Sequence, residues 1–163
     1  MTGLAVRSTD LLSRVTAAVH SVTDPEYPDV SIADLGLVER IDVNDTEVRV
    51  GLIPTMSGCP ALAMIEHDVR AAVASVLDTV AHETQVVVEF LHEPVWTPER
   101  ISGTAVSFLR TEYTVTIRPP SGPTSCPVCE GRAVEPRSEF GSTPCRAVAW
   151  CPDCRNPIEV IRR

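Results

Sequence analysis

Leu11, Leu12, Val15, Ala18, Val19 and Val22 recur at the three- and four-residue spacing of an amphipathic helix. Ser8, Thr9 or Asp10 is placed to cap it. The run Asp24-Pro25-Glu26-Tyr27-Pro28-Asp29 carries two prolines and reads as a rigid acidic loop. Leu37 to Val43 and Glu47 to Ile53 alternate apolar with polar residues around Asn44-Asp45, which predicts a β-hairpin. Pro60 to Leu77 returns to helical spacing, with Leu62, Ile65, Val69, Val73, Val76 and Leu77 on one face. Gln85 to Leu91 is apolar enough for a buried strand. The order α-β-β-α-β predicts an α+β fold, a small two-layer domain with helices covering one face of a short sheet. Beyond Pro94 the pattern weakens. It allows a short helix over residues 99–110 and an extended segment from Tyr113 to Ile117.

Pro119-Pro120-Ser121-Gly122-Pro123 has linker composition, which sets a first domain at 1–118, a linker at 119–123 and a C-terminal piece at 124–163. The 163-residue chain carries a formal charge of −8, with 22 acidic and 14 basic residues. The C-terminal piece is close to neutral, so the acidity belongs to the first domain. Such a balance argues against a nucleic-acid partner, because phosphate binding needs clustered positive charge. Every basic residue is Arg, which excludes a Schiff-base or P-loop lysine. No apolar run is long enough for a bilayer. Arg7, Asp10 and Arg14 interrupt the N-terminal stretch where a signal peptide needs an apolar core. A cytoplasmic protein is therefore expected, in a compartment where paired cysteines more often serve metal or redox chemistry than disulfides.

Cys126-Pro127-Val128-Cys129 and Cys151-Pro152-Asp153-Cys154 are two C-P-x-C turns separated by 21 residues. Each turn places two sulfurs on one side of a tight loop, and two turns close a tetrahedral four-cysteine site. A piece this short with few large apolar residues needs such a staple. The spacing predicts a zinc ribbon. Four protein ligands leave no open position, so the ion is expected to be structural, against the alternatives of a chemically active site or a disulfide pair. Cys145, in Phe140-Gly141-Ser142-Thr143-Pro144-Cys145, is open to two readings: a buried small side chain, or an extra ligand for iron or a cluster.

Cys59 stands apart, in Pro54-Thr55-Met56-Ser57-Gly58-Cys59-Pro60. Pro60 suits the first helical position, which makes Cys59 the expected N-cap of the second helix. Backbone N–H groups and the helix dipole at that end favour thiolate, the form that binds metal. One soft ligand suits a transient site completed by a second subunit or a client, rather than a permanent one. Asp24, Glu26, Asp29 and Asp34 are acids in nearby loops, available as hard oxygen ligands or as ordinary turn residues. His20, His67, His82 and His92 are scattered and form no E-x-x-H pair. No Ser-His-Asp grouping, nucleophile elbow or glycine-rich phosphate loop is present in the sequence, so an independent catalyst is not expected.

Asp24-Pro25-Glu26, Ser31-Ile32-Ala33-Asp34-Leu35-Gly36 and Pro54-Thr55-Met56-Ser57-Gly58-Cys59-Pro60-Ala61 together resemble the domain of SufT-like iron–sulfur targeting factors. Pro94-Val95-Trp96-Thr97, Ser138-Glu139-Phe140-Gly141-Ser142-Thr143-Pro144-Cys145 and both C-x-x-C pairs narrow the resemblance to the D-subunit family (PaaD/PaaJ) of phenylacetyl-CoA epoxidase systems. It spans nearly the whole chain. The resemblance implies a non-catalytic accessory factor that matures or maintains iron or iron–sulfur centres for phenylacetate catabolism. Its partners would be other epoxidase subunits or cluster-assembly proteins, with no membrane or nucleic acid involved. It further implies that Cys59 is the cluster-handling residue, with Asp24, Asp34, Thr55 and Gly58 as motif members. Cys126, Cys129, Cys151 and Cys154 would hold zinc, and a cluster bridged by single thiolates would favour a homodimer. The competing expectation is a zinc-ribbon adaptor that binds protein and carries no cluster of its own.

Overall fold

The computed structural model describes residues 2–78, 84–119 and 121–161; His82 and Pro120 lie outside them. The described chain divides into two compact units. One comprises Met1–Pro54 with Pro60–Val95, and the other Thr55–Cys59 with Trp96–Arg163.

In the first unit, α1 (Thr2–His20) leads into a two-stranded ribbon of β1 (Thr23–Asp24) and β2 (Tyr27–Ser31). A three-stranded sheet follows, ordered β3 (Val38–Val43), β4 (Glu47–Leu52), β5 (Gln85–Phe90), with α2 (Ala61–Leu77) between β4 and β5. The expected hairpin is present: β3 and β4 are antiparallel, and the Asn44 carboxamide accepts from the amides of Thr46 and Glu47 to close the turn. β4 and β5 are parallel, which is the pairing that a helical crossover permits. Val48, Val50 and Leu52 of β4 are buried, as are Val15 and Val19 of α1 and Ile65, Val69, Val73 and Leu77 of α2. α1 packs on α2 and β3, and α2 on β5. Side chains of this kind contribute about 1.5–3 kcal/mol each when removed from water. On the strands' other side, Arg40 reaches Glu89 (2.8 Å), and Arg49 reaches Glu89 (3.2 Å) and Glu47 (3.0 Å).

Three local expectations are corrected. α1 begins at Thr2, so Ser8, Thr9 and Asp10 lie inside it and do not cap it. The segment Asp24 to Asp29 is not a loop but the end of β1, its turn and the start of β2. Thr23 pairs with Ser31 and Asp24 with Tyr27, and Pro28 falls in the register shift between these pairings, where its missing N–H removes no ladder bond. Finally, the helix expected over 99–110 is broken. A 3-10 turn at Pro98–Arg100 ends at extended Ile101, and α3 (Gly103–Glu112) starts afresh under Ser102, whose hydroxyl accepts from the Ala105 amide at 3.1 Å.

The second unit carries α3 and a four-stranded sheet ordered β6 (Val115–Ile117), β9 (Asn156–Ile161), β8 (Arg146–Cys151), β7 (Glu135–Ser138). β7, β8 and β9 form an antiparallel meander, and β6 joins parallel to β9. Trp96, Ile101, Ala105, Leu109 and Val115 are buried, and a separate cluster gathers Cys126, Ala147, Ala149, Cys151, Ile158 and Val160. The composition-based boundary at 119–123 falls between β6 and the sheet that β6 completes. The compact units divide instead at Val95/Trp96 and transfer Thr55–Cys59 to the second unit. Among the described residues no helix is long and apolar enough to cross a membrane.

Candidate metal centre

The first C-x-x-C turn precedes β7; the second follows β8, which ends at Cys151, and β9 resumes at Asn156. Both turns are knuckles of the same backbone type. The residue after the second cysteine is left-handed in each, Glu130 at φ 62° and Arg155 at φ 57°. That conformation normally favours glycine, so both non-glycine residues carry a backbone cost. In the first knuckle, the Cys126 amide donates to the Gly131 carbonyl (2.9 Å), the Glu130 amide to the Cys126 carbonyl (3.0 Å), and the Val128 amide to the Cys126 sulfur (3.4 Å). Gly131 is needed for space. A Cβ there would lie 3.2 Å from the Cys129 sulfur and run into the Asp153 carboxylate.

The β8–β9 pairing brings the two knuckles together. The sulfurs of Cys126, Cys129, Cys151 and Cys154 lie within 4.8 Å of one another, with Cys126 to Cys154 at 3.7 Å and Cys129 to Cys151 at 3.5 Å. Zinc–sulfur bonds of about 2.3 Å in a tetrahedron put sulfurs about 3.8 Å apart, close to the two pairs at 3.7 and 3.5 Å, so this donor set suits one such ion. Cys126 and Cys151 are fully buried. The crowding moves three of the thiols in opposite directions. The Cys154 thiol is lowered to about 7, chiefly by the Asn156 side chain and then, against burial, by the thiols of Cys129, Cys151 and Cys126. For Cys129 the Gly131 amide favours the thiolate, but burial and the other three sulfurs outweigh it and push the thiol up to about 12. Burial likewise raises Cys126. One thiolate forms readily and the next must form against its charge, a conflict that a divalent cation removes.

The remaining candidates are placed as follows. Cys145 is not among the four sulfurs and so is no fifth ligand there; it sits in the turn before β8, with its sulfur 3.2 Å from the Thr143 hydroxyl oxygen. That turn is held by Arg146, which is buried and bonds the Glu159 carboxylate at 2.5 Å, while the Ser142 amide donates to the other Glu159 oxygen at 3.2 Å. Burial opposes ionisation of Glu159, but Ser142 and Arg146 prevail and hold its carboxyl below the usual range. Composition gave no sign of this pair; the only signal was the spacing of Arg146 and Glu159 on adjacent strands, readable once the register is known.

Cys59 is buried and closes a turn in which its own amide and that of Gly58 donate to the Met56 carbonyl, at 3.3 and 3.0 Å. The expected N-cap is corrected by one position: Pro60 is the N-cap, α2 begins at Ala61, and Cys59 immediately precedes the cap. Pro60 itself makes no side-chain capping bond. A Cβ at Gly58 would meet nothing within 4 Å, so the backbone is open beside Cys59. Thr55 is half-buried in the same turn. Asp24 and Asp34 belong to the first unit, whereas Thr55, Gly58 and Cys59 belong to the second. Asp24 is buried and accepts from the Glu26 amide at 2.8 Å. Asp34 accepts from the Ser31 hydroxyl at 2.7 Å, in a turn that ends on left-handed Gly36 (φ 70°).

A helix-covered sheet with a cysteine turn ahead of its second helix, in one chain with a four-cysteine ribbon, defines a two-part class whose second part is a metal-binding ribbon. Residues 12–86 match the family model described as "Iron-sulfur cluster assembly protein", and residues 110–162 match the "PaaD zinc beta ribbon domain". The chain is 31% identical over 171 aligned positions to the putative D-subunit of the 1,2-phenylacetyl-CoA epoxidase of Escherichia coli K12, covering 99% of each. It is therefore a member of the D-subunit family of phenylacetyl-CoA epoxidases. It is also 37% identical over 78 residues to an "Iron-sulfur cluster carrier protein" of Mycobacterium leprae, covering 47% of this chain and 20% of that one. Among solved structures, the DUF59 domain from Bacillus anthracis superimposes with a TM-score of 0.50 at 29% identity, covering 62% of this chain and 92% of that domain.

Proposed function

We propose that this chain is a non-catalytic accessory factor for the iron or iron–sulfur centres of a phenylacetyl-CoA epoxidase system, working in the cytoplasm. The observation that carries the reading is the joining, in one chain, of an assembly-type domain bearing the Cys59 turn and a four-sulfur ribbon, in a family whose relative is an epoxidase subunit over its full length. In this reading Cys126, Cys129, Cys151 and Cys154 hold zinc as a structural ion that fixes the ribbon. Cys59 takes a cluster transiently: a single thiolate beside open backbone just ahead of a helix binds weakly enough to release it. Asp24, Asp34, Thr55 and Gly58 shape the turns around that step. The partners are other epoxidase subunits or cluster-assembly proteins, and a homodimer supplies the second thiolate.

The second reading, a protein-binding adaptor with no cluster of its own, is favoured by one feature: four protein thiolates leave the ribbon ion no open position for chemistry. The two readings separate in a strain that depends on this chain for growth on phenylacetate. Cys59→Ala is expected to abolish epoxidase activity while the protein accumulates at its normal level. Normal activity with Cys59→Ala would remove the cluster-handling reading and leave the adaptor.

A further inference from the structure

The four-cysteine site receives support from outside its own loops. Arg110, near the end of α3, reaches forward across 16 residues to the start of the first knuckle. Its Nη1 donates to the Thr116 hydroxyl (3.1 Å) and to the Ser125 hydroxyl (3.2 Å), and its Nη2 to the Cys126 carbonyl (3.4 Å). Thr116, on β6 and buried, in turn donates its hydroxyl to the Ser125 carbonyl at 3.1 Å. The guanidinium fork therefore binds the two residues that open the first knuckle, and it binds the strand beside them. Cys126 is fully buried; the other bonds to its amide and carbonyl come from within the knuckle, and its sulfur meets the Val128 amide and, across the site, the Cys154 sulfur. A planar, permanently charged fork suits this task because it meets several oxygens in one fixed arrangement. It also brings positive charge toward a centre that carries a formal −2 when four thiolates hold a divalent ion.

We propose that Arg110 is a positioning residue of the four-cysteine metal centre, holding Cys126 in its ligating place from α3 so that the ion is retained. The inference rests on the reading that these four cysteines hold a metal. It also makes α3 a working part of the ribbon, upstream of the Pro-rich segment.

The test uses the full-length chain loaded with zinc and challenged with excess chelator, following zinc release. Arg110→Gln is expected to speed release by about 10- to 100-fold, the usual effect of losing an outer partner of a metal ligand. Ser125→Ala is expected to give a smaller acceleration in the same direction, and Arg110→Lys an intermediate one. Arg137→Gln, which removes an exposed pair with Glu135 elsewhere in the same unit, is expected to leave the rate unchanged. With cobalt in place of zinc, Arg110→Gln is expected to keep the absorption of a tetrahedral four-thiolate site, since no ligand is lost. If Arg110→Gln does not fold, Ser125→Ala and Arg110→Lys carry the comparison. Release within twofold of wild type in the folded variants would overturn the role of Arg110. A wild-type chain that takes up neither zinc nor cobalt would instead refute the metal reading itself.

Discussion

The chain has two places where cysteine does something, and they are built on opposite plans. At the knuckles, four sulfurs converge within 4.8 Å, two of them fully buried, on loops braced by β8, β9 and amide bonds to sulfur and carbonyl. At the Cys59 turn, one buried sulfur stands just ahead of α2, beside a glycine with open space around it. The first arrangement satisfies an ion completely and so fixes structure. In the proposed reading the second would leave most of a coordination sphere to be supplied by something else, which suits exchange. In the function proposed above, the count and enclosure of sulfurs, more than their presence, separate a structural metal from a delivered one.

The sharpest way to break this contrast is to remove one sulfur from each place. Cys151→Ser should abolish stoichiometric zinc and unfold the ribbon, since a structural zinc site contributes about 10 kcal/mol or more of folding energy. Cys59→Ala should keep its zinc and lose only about 1 kcal/mol, the cost of a small cavity. Metal analysis and thermal melting check both. Equal losses would show that the two places are not different in kind.

A smaller effect probes the end of the ribbon that the ion does not reach. Glu159→Gln should cost about 1–3 kcal/mol at pH 7, because it removes the charge from the Glu159 side of its ion pair with buried Arg146. The sign follows from the depressed carboxyl: its contribution is fully present above the unfolded glutamate pKa and is lost as pH falls through the lower folded value. The difference between wild type and Glu159→Gln, read from denaturant midpoints, should therefore stay constant from pH 8 to about pH 5.5. A difference that changed within that window would assign the effect to another titrating group.

The smallest effect concerns the likeness of the two knuckles. Glu130→Gly and Arg155→Gly should each stabilise by about 0.5–1 kcal/mol, since glycine relieves the left-handed backbone at both positions while losing more chain entropy on folding. Chemical denaturation of the zinc-loaded protein would show it. Destabilisation at one position only would mean that its side chain makes a contact worth more than the strain.

Much of this was legible in the sequence. The knuckles follow from spacing alone, and the α-β-β-α-β order follows from the change of apolar period between helices and strands. Other features hid for physical reasons. The β1–β2 ribbon was obscured by Pro25 and Pro28, which look like strand breakers until the register shift shows that Pro28 owes no ladder bond. β6 is three residues long, too short for a periodicity, and its partner β9 lies about forty residues on. Pro60 fits either the N-cap or the first helical turn, so Cys59 was displaced by one position. The Arg110 fork depends on where α3 ends relative to Ser125, which no local pattern encodes.

The most direct test of the contrast is to count zinc, iron and acid-labile sulfide per chain. The chain would be purified without oxygen and reconstituted with ferrous iron and sulfide, beside Cys59→Ala. One zinc per chain is expected in both proteins, with iron and sulfide in the wild type that disappear in Cys59→Ala. Iron and sulfide that survive the substitution would contradict a cluster held by Cys59 and move cluster chemistry to the C-terminal cysteines.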